Sequence, residues 1–284
     1  MKPIDELSLG WRTDLIFPRF DAEVIERPGY LLVRTPHNST FWWGNFLLFD
    51  RAPVEGDLAV WRAQFDAEIA NRQPKSRHVA FDIDTGAPFE MPADLLRAGF
   101  TRDAGTVLTM QRAQLRAPPS PLPPRFRFAA LDLPRQSAAA VELQVLSDDG
   151  EHAPIAEHRI FRERQMQRYT AMQRAGLGHW FGVFAASGGV DQLVADCGLF
   201  RDGPGTAALG HFQHVETHPQ FRRRGLCRAL IHAVCRHGFE VMGLQSLVIV
   251  ADPEDVAIGL YESVGFERGV STWHLQRRPD AVAG

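Results

Sequence analysis

Residues 208–251 constrain the fold more than any other segment. They read as a strand (Ala208–Thr217), a loop rich in arginine and glycine, a helix, and an apolar, largely β-branched run at Leu247–Ala251. Leu226, Ala229, Leu230, Ala233 and Val234 fall at the i, i+3, i+4, i+7 and i+8 positions of a helix packed on a sheet. The Leu-Val-Ile-Val-Ala run has no polar face, as expected of an interior strand covered on both sides. Strand, crossover helix and strand make a βαβ unit, whose two strands lie parallel. Other segments predict antiparallel neighbours, notably a hairpin of His179–Ala186, a Gly188-Gly189 turn and Gln192–Phe200. The fold class is therefore α/β with a mixed α+β sheet.

The remaining segments complete this plan. A strand is expected at Phe126–Leu131 and helices at Pro134–Leu146 and Ile155–Ala175, with Gly203-Pro204-Gly205 turning the chain into Ala208. A short helix around Val256–Val264 ends at Gly265, well placed as a C′ glycine, and a last strand covers Ser271–Gln276.

Residues 118–124 hold five prolines in seven positions. Proline fixes φ and lacks an N–H, so the stretch predicts a stiff extended spacer. With 284 residues there is chain enough for two domains. The expected division is 1–116, a linker at 117–124, and 125–284. The first part echoes the second at a constant offset. Leu95-Leu96-Arg97-Ala98-Gly99-Phe100 before Val107–Gln111 mirrors Tyr261-Glu262-Ser263-Val264-Gly265-Phe266 before Trp273–Gln276, and Pro53 falls against Pro219. A strand at Phe46–Phe49, a helix at Asp57–Ala70 and a strand at His78–Asp82 complete an internal duplication.

Bulk properties narrow the partners. Hydrophobic residues at 45% and charged residues at 23% describe a globular chain, and a formal net charge of −3 provides no field for nucleic acid or an anionic membrane. Cys197, Cys227 and Cys235 form no C-x-x-C pair, no run reaches membrane-spanning length, and the acidic N-terminus is unlike a signal peptide. Cytoplasmic localisation is the expectation, with neither nucleic acid nor membrane as partner.

The chemistry concentrates in Thr217-His218-Pro219-Gln220-Phe221-Arg222-Arg223-Arg224-Gly225-Leu226-Cys227. A loop between a strand and a helix N-terminus offers unpaired backbone N–H groups and the positive end of the helix dipole, a ready anion site. Gly225 allows close backbone approach, Cys227 is small, and the arginines add charge at the rim.

This segment resembles the GCN5-related N-acetyltransferase (GNAT) family, whose loop reads Q/R-x-x-G-x-G/A; here it is Arg222-x-x-Gly225-x-Cys227, departing at Cys227. The lead-in Val215-Glu216-Thr217-His218-Pro219 and the downstream Ala257-Ile258-Gly259-Leu260-Tyr261-Glu262-Ser263-Val264-Gly265-Phe266 fit the family as well. The resemblance covers residues 125–284 and, with the duplication, implies two GNAT-like domains in tandem, the first degenerate. It implies acetyl-CoA as cosubstrate, no metal, and direct transfer of acetyl to a small-molecule or peptide amine. The cofactor would contact Val215, Thr217, Arg222, Arg223, Arg224, Gly225, Leu226, Cys227, Arg228 and Asp255, the last standing where the family often has Asn. The Val215 N–H would hold the oxyanion and Tyr261 would be the acid. A homodimer is left open.

The base is expected on the strand entering the loop, which offers His211, Gln213, His214 and Glu216. Simple alternation sets His211 on the face of Val215, and an imidazole near pKa 6.5 suits the task, so His211 stands first and Glu216 second. The family usually bulges this strand, and one inserted residue would exchange the faces. In the first repeat Glu55 and Asp57 place negative charge where a phosphate would sit, and Leu95 replaces the tyrosine. That half is expected to scaffold the cleft, and Phe41-Trp42-Trp43 to pack in a core or between domains. A CoA-binding sensor without turnover, or a transferase of another acyl group, remain as alternatives.

Overall fold

The structure is a computed structural model describing residues 1–148, 155–187, 190–203 and 208–278. The turns expected at Gly188-Gly189 and Pro204-Gly205 lie outside the described residues. The chain forms two compact units: Met1–Val107 together with the chain from Gly269, and Leu108–Arg268. The proline-rich stretch therefore belongs to the second unit, and the last strand counts with the first. No helix of the described residues is long and apolar enough to cross a membrane.

The first unit begins with helices α1 (Leu9–Asp14) and α2 (Ile16–Asp21) and strands β1 (Glu23–Arg27), β2 (Tyr30–Arg34) and β3 (Phe46–Phe49). Then come α3 (Asp57–Phe65), which runs on as a π-helical turn at Asp66–Ala70, β4 (Val79–Ile83), α4 (Ala93–Arg97) and β5 (Thr101–Gln111), whose residues from Leu108 count with the second unit. β1, β2 and β3 are antiparallel neighbours, while β3 and β4 are parallel. One face of this sheet carries Trp61 stacked on Phe49 (centroids 3.7 Å apart) with Phe65 and Phe81. The other face packs Trp11 and Leu15 over Leu31, Val33 and Phe46. The Phe41-Trp42-Trp43 segment is not core: Trp43 is 43% exposed and meets His274 edge-on, and Arg278 lies over Trp42.

The second unit contains β6 (Phe126–Ala130), α5 (Leu133–Ser147), α6 (Ile155–Arg174), β7 (Gly178–Ser187), β8 (Val190–Arg201), β9 (Leu209–Thr217), α7 (Leu226–Glu240), β10 (Ser246–Ala251) and α8 (Ala257–Val264). Its strands follow the order β5-β10-β9-β8-β7-β6, and β9 and β10 are the expected parallel pair. α7 buries Leu226, Leu230, Ile231, Val234 and Cys235, each fully withdrawn aliphatic contributing about 1.5–3 kcal/mol. Ala229 and Ala233, expected on that face, are only half-buried, and they border a groove with Pro118, Pro121 and Leu122. The prolines thus pack on the second unit's surface, Leu122 reaching its core, rather than spanning free between domains.

The last strand, β11 (Glu267–Arg277), pairs antiparallel with β4, Trp273 against Ile83 through Arg277 against Val79. The sequence places it after the second repeat, but pairing assigns its residues from Gly269 to the first unit.

Candidate active site

Two strands that part company create the site. The β9–β10 pairing runs only from Ser246 opposite Leu209 to Val248 opposite His211. Beyond that point β9 continues to Thr217 and β10 to Ala251 without a shared register, leaving a fork between them. On its other side β9 pairs with β8, where Asp196 opposes Glu216 but Gly198 opposes Gln213. β9 therefore carries one extra residue, a bulge, and His214 adopts the left-handed region at φ 44°. His214 and Val215 have no register partner on β8, so the bulge lies beside the fork.

The bulge also exchanges the faces. Phe212 is buried in the α7-side core, against which Val215 packs, so these two share a face. His211 is thus not on the Val215 side, contrary to simple alternation, but shares the opposite face with Gln213 and Glu216. It lies at the last paired position, 3% exposed, and burial lowers its pKa to about 3. A histidine so placed is a neutral imidazole with little affinity for a proton.

The anion loop begins one turn later. Gly225, at φ 75°, is the N-cap of α7, and no side chain caps the helix. A Cβ built at Gly225 meets nothing within 4 Å among the described residues, so the N-cap borders open space, and the first N–H groups of the helix are those of Leu226, Cys227 and Arg228. The Leu226 side chain is buried in the core and only its backbone serves the loop. Arg223 is exposed with φ 61°, shaping the turn. Arg224 donates to the Gln220 carbonyl at 2.9 Å and lies over the Phe221 ring. Arg222 folds back, its Nη2 donating to the Ser147 carbonyl at 3.1 Å and its Nε to that of Thr217 at 3.3 Å, so it ties the loop to the end of α5. Arg228 is half-buried, and its Nε has no hydrogen-bond partner among the described residues. These features fit a pyrophosphate.

Cys227 hydrogen-bonds the Thr217 side chain, and burial pushes its thiol up to about 12, which leaves no thiolate for nucleophilic work. Tyr261, on α8, is 4% exposed; burial first, then Cys227, Asp255, Cys197 and Glu216, raise its pKa far above that of an ordinary phenol. It holds its proton at any working pH. Asp255 is exposed and turned to its own helix, accepting from the Ala257 N–H at 2.8 Å.

Beyond Glu216, on the face away from α7, lies a polar cluster that sequence reasoning missed. Arg162 of α6 is buried, donating to His158 Nε2 at 3.0 Å, to Gln165 Oε1 at 3.2 Å and to the His214 ring at 2.8 and 2.9 Å. Desolvation lowers its pKa, opposed by Glu216, Tyr169, Asp148 and Asp196. Tyr169 donates to Gln213 at 2.8 Å. The available signal was Asp196, an acid inside the apolar run Leu193–Leu199.

The first unit repeats the plan without the site. Its β3–β4 pairing runs to the strand ends, Phe49 opposite Ile83, and continues through the Asp84 N–H to the Phe49 carbonyl at 2.8 Å, so no fork opens. Gly56, φ 95°, caps α3 as Gly225 caps α7, but it follows Pro53 by three positions where Gly225 follows Pro219 by six. Asp57 at that terminus accepts from the Val54 N–H at 2.8 Å and from both Arg51 terminal nitrogens, and Asp94 accepts from the Gly56 N–H at 3.0 Å. Internal carboxylates thus take up the Val54 and Gly56 N–H groups of the loop before α3. The turns after α4 and α8 close alike, with Phe100 N–H to the Leu95 carbonyl and Phe266 N–H to that of Tyr261, both 3.1 Å.

Two units of one strand–helix–strand plan, one with a forked parallel pair and an open helix N-terminus, define a tandem GNAT fold. Residues 145–266 match the sequence profile of the acetyltransferase (GNAT) family. Solved structures share the fold over nearly the whole chain. A functionally unknown conserved protein from Staphylococcus epidermidis has a TM-score of 0.67 at 12% identity, over 92% of this chain and 95% of that one. A GCN5-related N-acetyltransferase from Kribbella flavida has 0.63 at 15%, over 96% and 95%. A tandem GNAT protein from the clavulanic acid biosynthesis pathway has 0.56 at 14%, over 98% and 94%. No match was found among curated proteins.

Proposed function

We propose that the second unit transfers the acetyl group of acetyl-CoA to an amine. One observation carries the reading: a helix N-terminus without a side-chain cap, a bulge in β9 at Val215 and a buried, protonated tyrosine stand together at one strand fork. The Leu226–Arg228 N–H groups and the rim arginines would hold the pyrophosphate, and Val215 the far end of the fork. Acetyl-CoA supplies an acyl group activated as a thioester.

Glu216 is the base in this reading, replacing His211, whose neutral buried imidazole is poorly matched to the task. An alkylamine near pKa 10 arrives as ammonium, so one proton must leave before its lone pair can attack. Glu216 takes that proton. The Val215 N–H stabilises charge developing on the carbonyl oxygen. As the N–C bond forms and the C–S bond breaks, Tyr261 gives its proton to sulfur and recovers the one nitrogen sheds. One proton is released overall, through Glu216.

The test is CoA release from acetyl-CoA across small amines, amino acids and peptides with free N-termini. Turnover with at least one amine class is expected. Tight acetyl-CoA binding with no release from any class would make the unit a sensor. Release with a different acyl-CoA alone would reassign the donor.

A further inference from the structure

Asp196 has no role in the reaction as described, yet its place in the fold is unusual. It stands directly across the β8–β9 ladder from Glu216, so the two carboxyl side chains leave the sheet on the same face as nearest cross-strand neighbours. It is fully buried. Trp180 Nε1 donates to its Oδ2 at 2.8 Å, and its Oδ1 has no hydrogen-bond partner among the described residues. A buried carboxylate with one oxygen unsatisfied is costly unless it serves something beside it, and what lies beside it is Glu216.

Resting on the assignment of Glu216 as base, we propose that Asp196 is its positioning partner: the two carboxyls hold a single proton between them, and the pair, rather than Glu216 alone, takes up the proton the acceptor amine sheds. Two carboxyls that cannot both ionise titrate as a unit in two steps, the upper displaced toward neutral pH. A lone carboxylate near pKa 4 is a poor match for an ammonium near 10, and displacement of the upper step closes part of that gap. Asp196 itself is pushed well above the usual carboxylate range by burial first and by Glu216, against Trp180 and Arg162. The other titratable groups of this face are His211 and His214 on β9, His158, Arg162 and Tyr169 on α6, and Asp148 after α5. Arg162 opposes the rise at Asp196 and favours the singly charged form of the pair before the amine arrives. The balance is simple: the singly charged pair gains one proton from the ammonium, becomes neutral, and returns that proton to solvent after transfer.

The experiment is the pH dependence of kcat/KM with the best amine from the release screen, in wild type, Asp196→Asn, Glu216→Gln and Trp180→Phe. Asparagine keeps the size of Asp196 and can still accept from Trp180. In Asp196→Asn the acid limb should move at least about one pH unit toward acid, a tenfold change in proton affinity, with acetyl-CoA affinity unchanged. A merely structural residue would lower the rate without moving the limb. Trp180→Phe removes the donor to Asp196 and should move the limb the other way, which keeps the proposal testable if Asp196→Asn does not fold. A limb unmoved in Asp196→Asn, or in Trp180→Phe where that variant must decide, overturns the pairing alone, provided Glu216→Gln abolishes it. A limb that survives Glu216→Gln shows that Glu216 is not the base and takes both readings down.

Discussion

Tyr261 enters the site as a phenol whose surroundings refuse it a negative charge, which suits a donor and disqualifies a base. Replacing it with phenylalanine leaves the ring packed against Phe266 and removes only the proton. Turnover should fall by about 10²–10⁴-fold while acetyl-CoA affinity, read by calorimetry, stays put. An unchanged kcat would reduce Tyr261 to packing. This residue was legible from sequence because its signature is contiguous: alanine, leucine, tyrosine, glycine and phenylalanine lie within one helix and its terminal turn. Arg162 was not legible, and Asp196 showed only as an acid in an apolar run, with nothing to say what it faces. Their importance arises from register and from α6 lying over β9, and no local spacing encodes either. The facing of His211 was misread for the same reason, because the residue that exchanges the faces, His214, looks like any other strand residue until Arg162 is seen to hold it.

The element that decides cofactor binding is the first turn of α7. Gly225 sits at φ 75°, where a side chain costs about 1–2 kcal/mol, and an aspartate there would also set a carboxylate against the incoming pyrophosphate. Gly225→Asp should abolish acetyl-CoA binding. The wild-type protein should bind one equivalent per chain, because Asp57 and Asp94 set two carboxylates at the start of α3 and take up the Val54 and Gly56 N–H groups there. Calorimetry that finds two equal sites, or undiminished binding by the variant, would remove the single-site reading. At this scale the sequence was informative. β10 was expected at Leu247–Ala251 and forms at Ser246–Ala251; α6 was expected at 155–175 and forms at Ile155–Arg174. Apolar periodicity and end signals are local, so they survive without knowledge of the partner. The comparison of the two anion loops was less complete. A constant offset matched Pro53 to Pro219 but concealed that Gly56 plays the part of Gly225, because the first loop is shorter.

Across the whole chain, the feature least readable in advance is the destination of β11. A strand's period tells which of its faces is buried but not which edge it joins, and β11 follows the second repeat yet pairs with β4 of the first unit. The joint has its own chemistry. His274 on β11 donates or accepts through Nδ1 at 2.9 Å from Asp82 Oδ1, and the Asp82 carboxyl is buried on β4. Burial alone would lower the pKa of His274, but Asp82, with Asp14 and Asp103, outweighs it and the result is a rise. A histidine whose pKa is higher folded than unfolded stabilises the fold most below its unfolded value, about 6.5, and loses that contribution as pH rises through the folded value. The first unit should therefore melt at progressively lower temperature as the solution is taken from pH 6 to 9. Trp11 and Trp43, whose rings lie 5.1 and 4.9 Å from that of His274, provide a fluorescence signal local to the joint. Asp82→Asn leaves burial opposed only by Asp14 and Asp103, so the rise at His274 should shrink and the loss of stability from pH 6 to 9 should flatten. Because the chain has two units, the transition must be followed by this local signal rather than by total heat. If the wild type and Asp82→Asn melt with the same pH profile, the His274–Asp82 pair is not what secures β11 to β4.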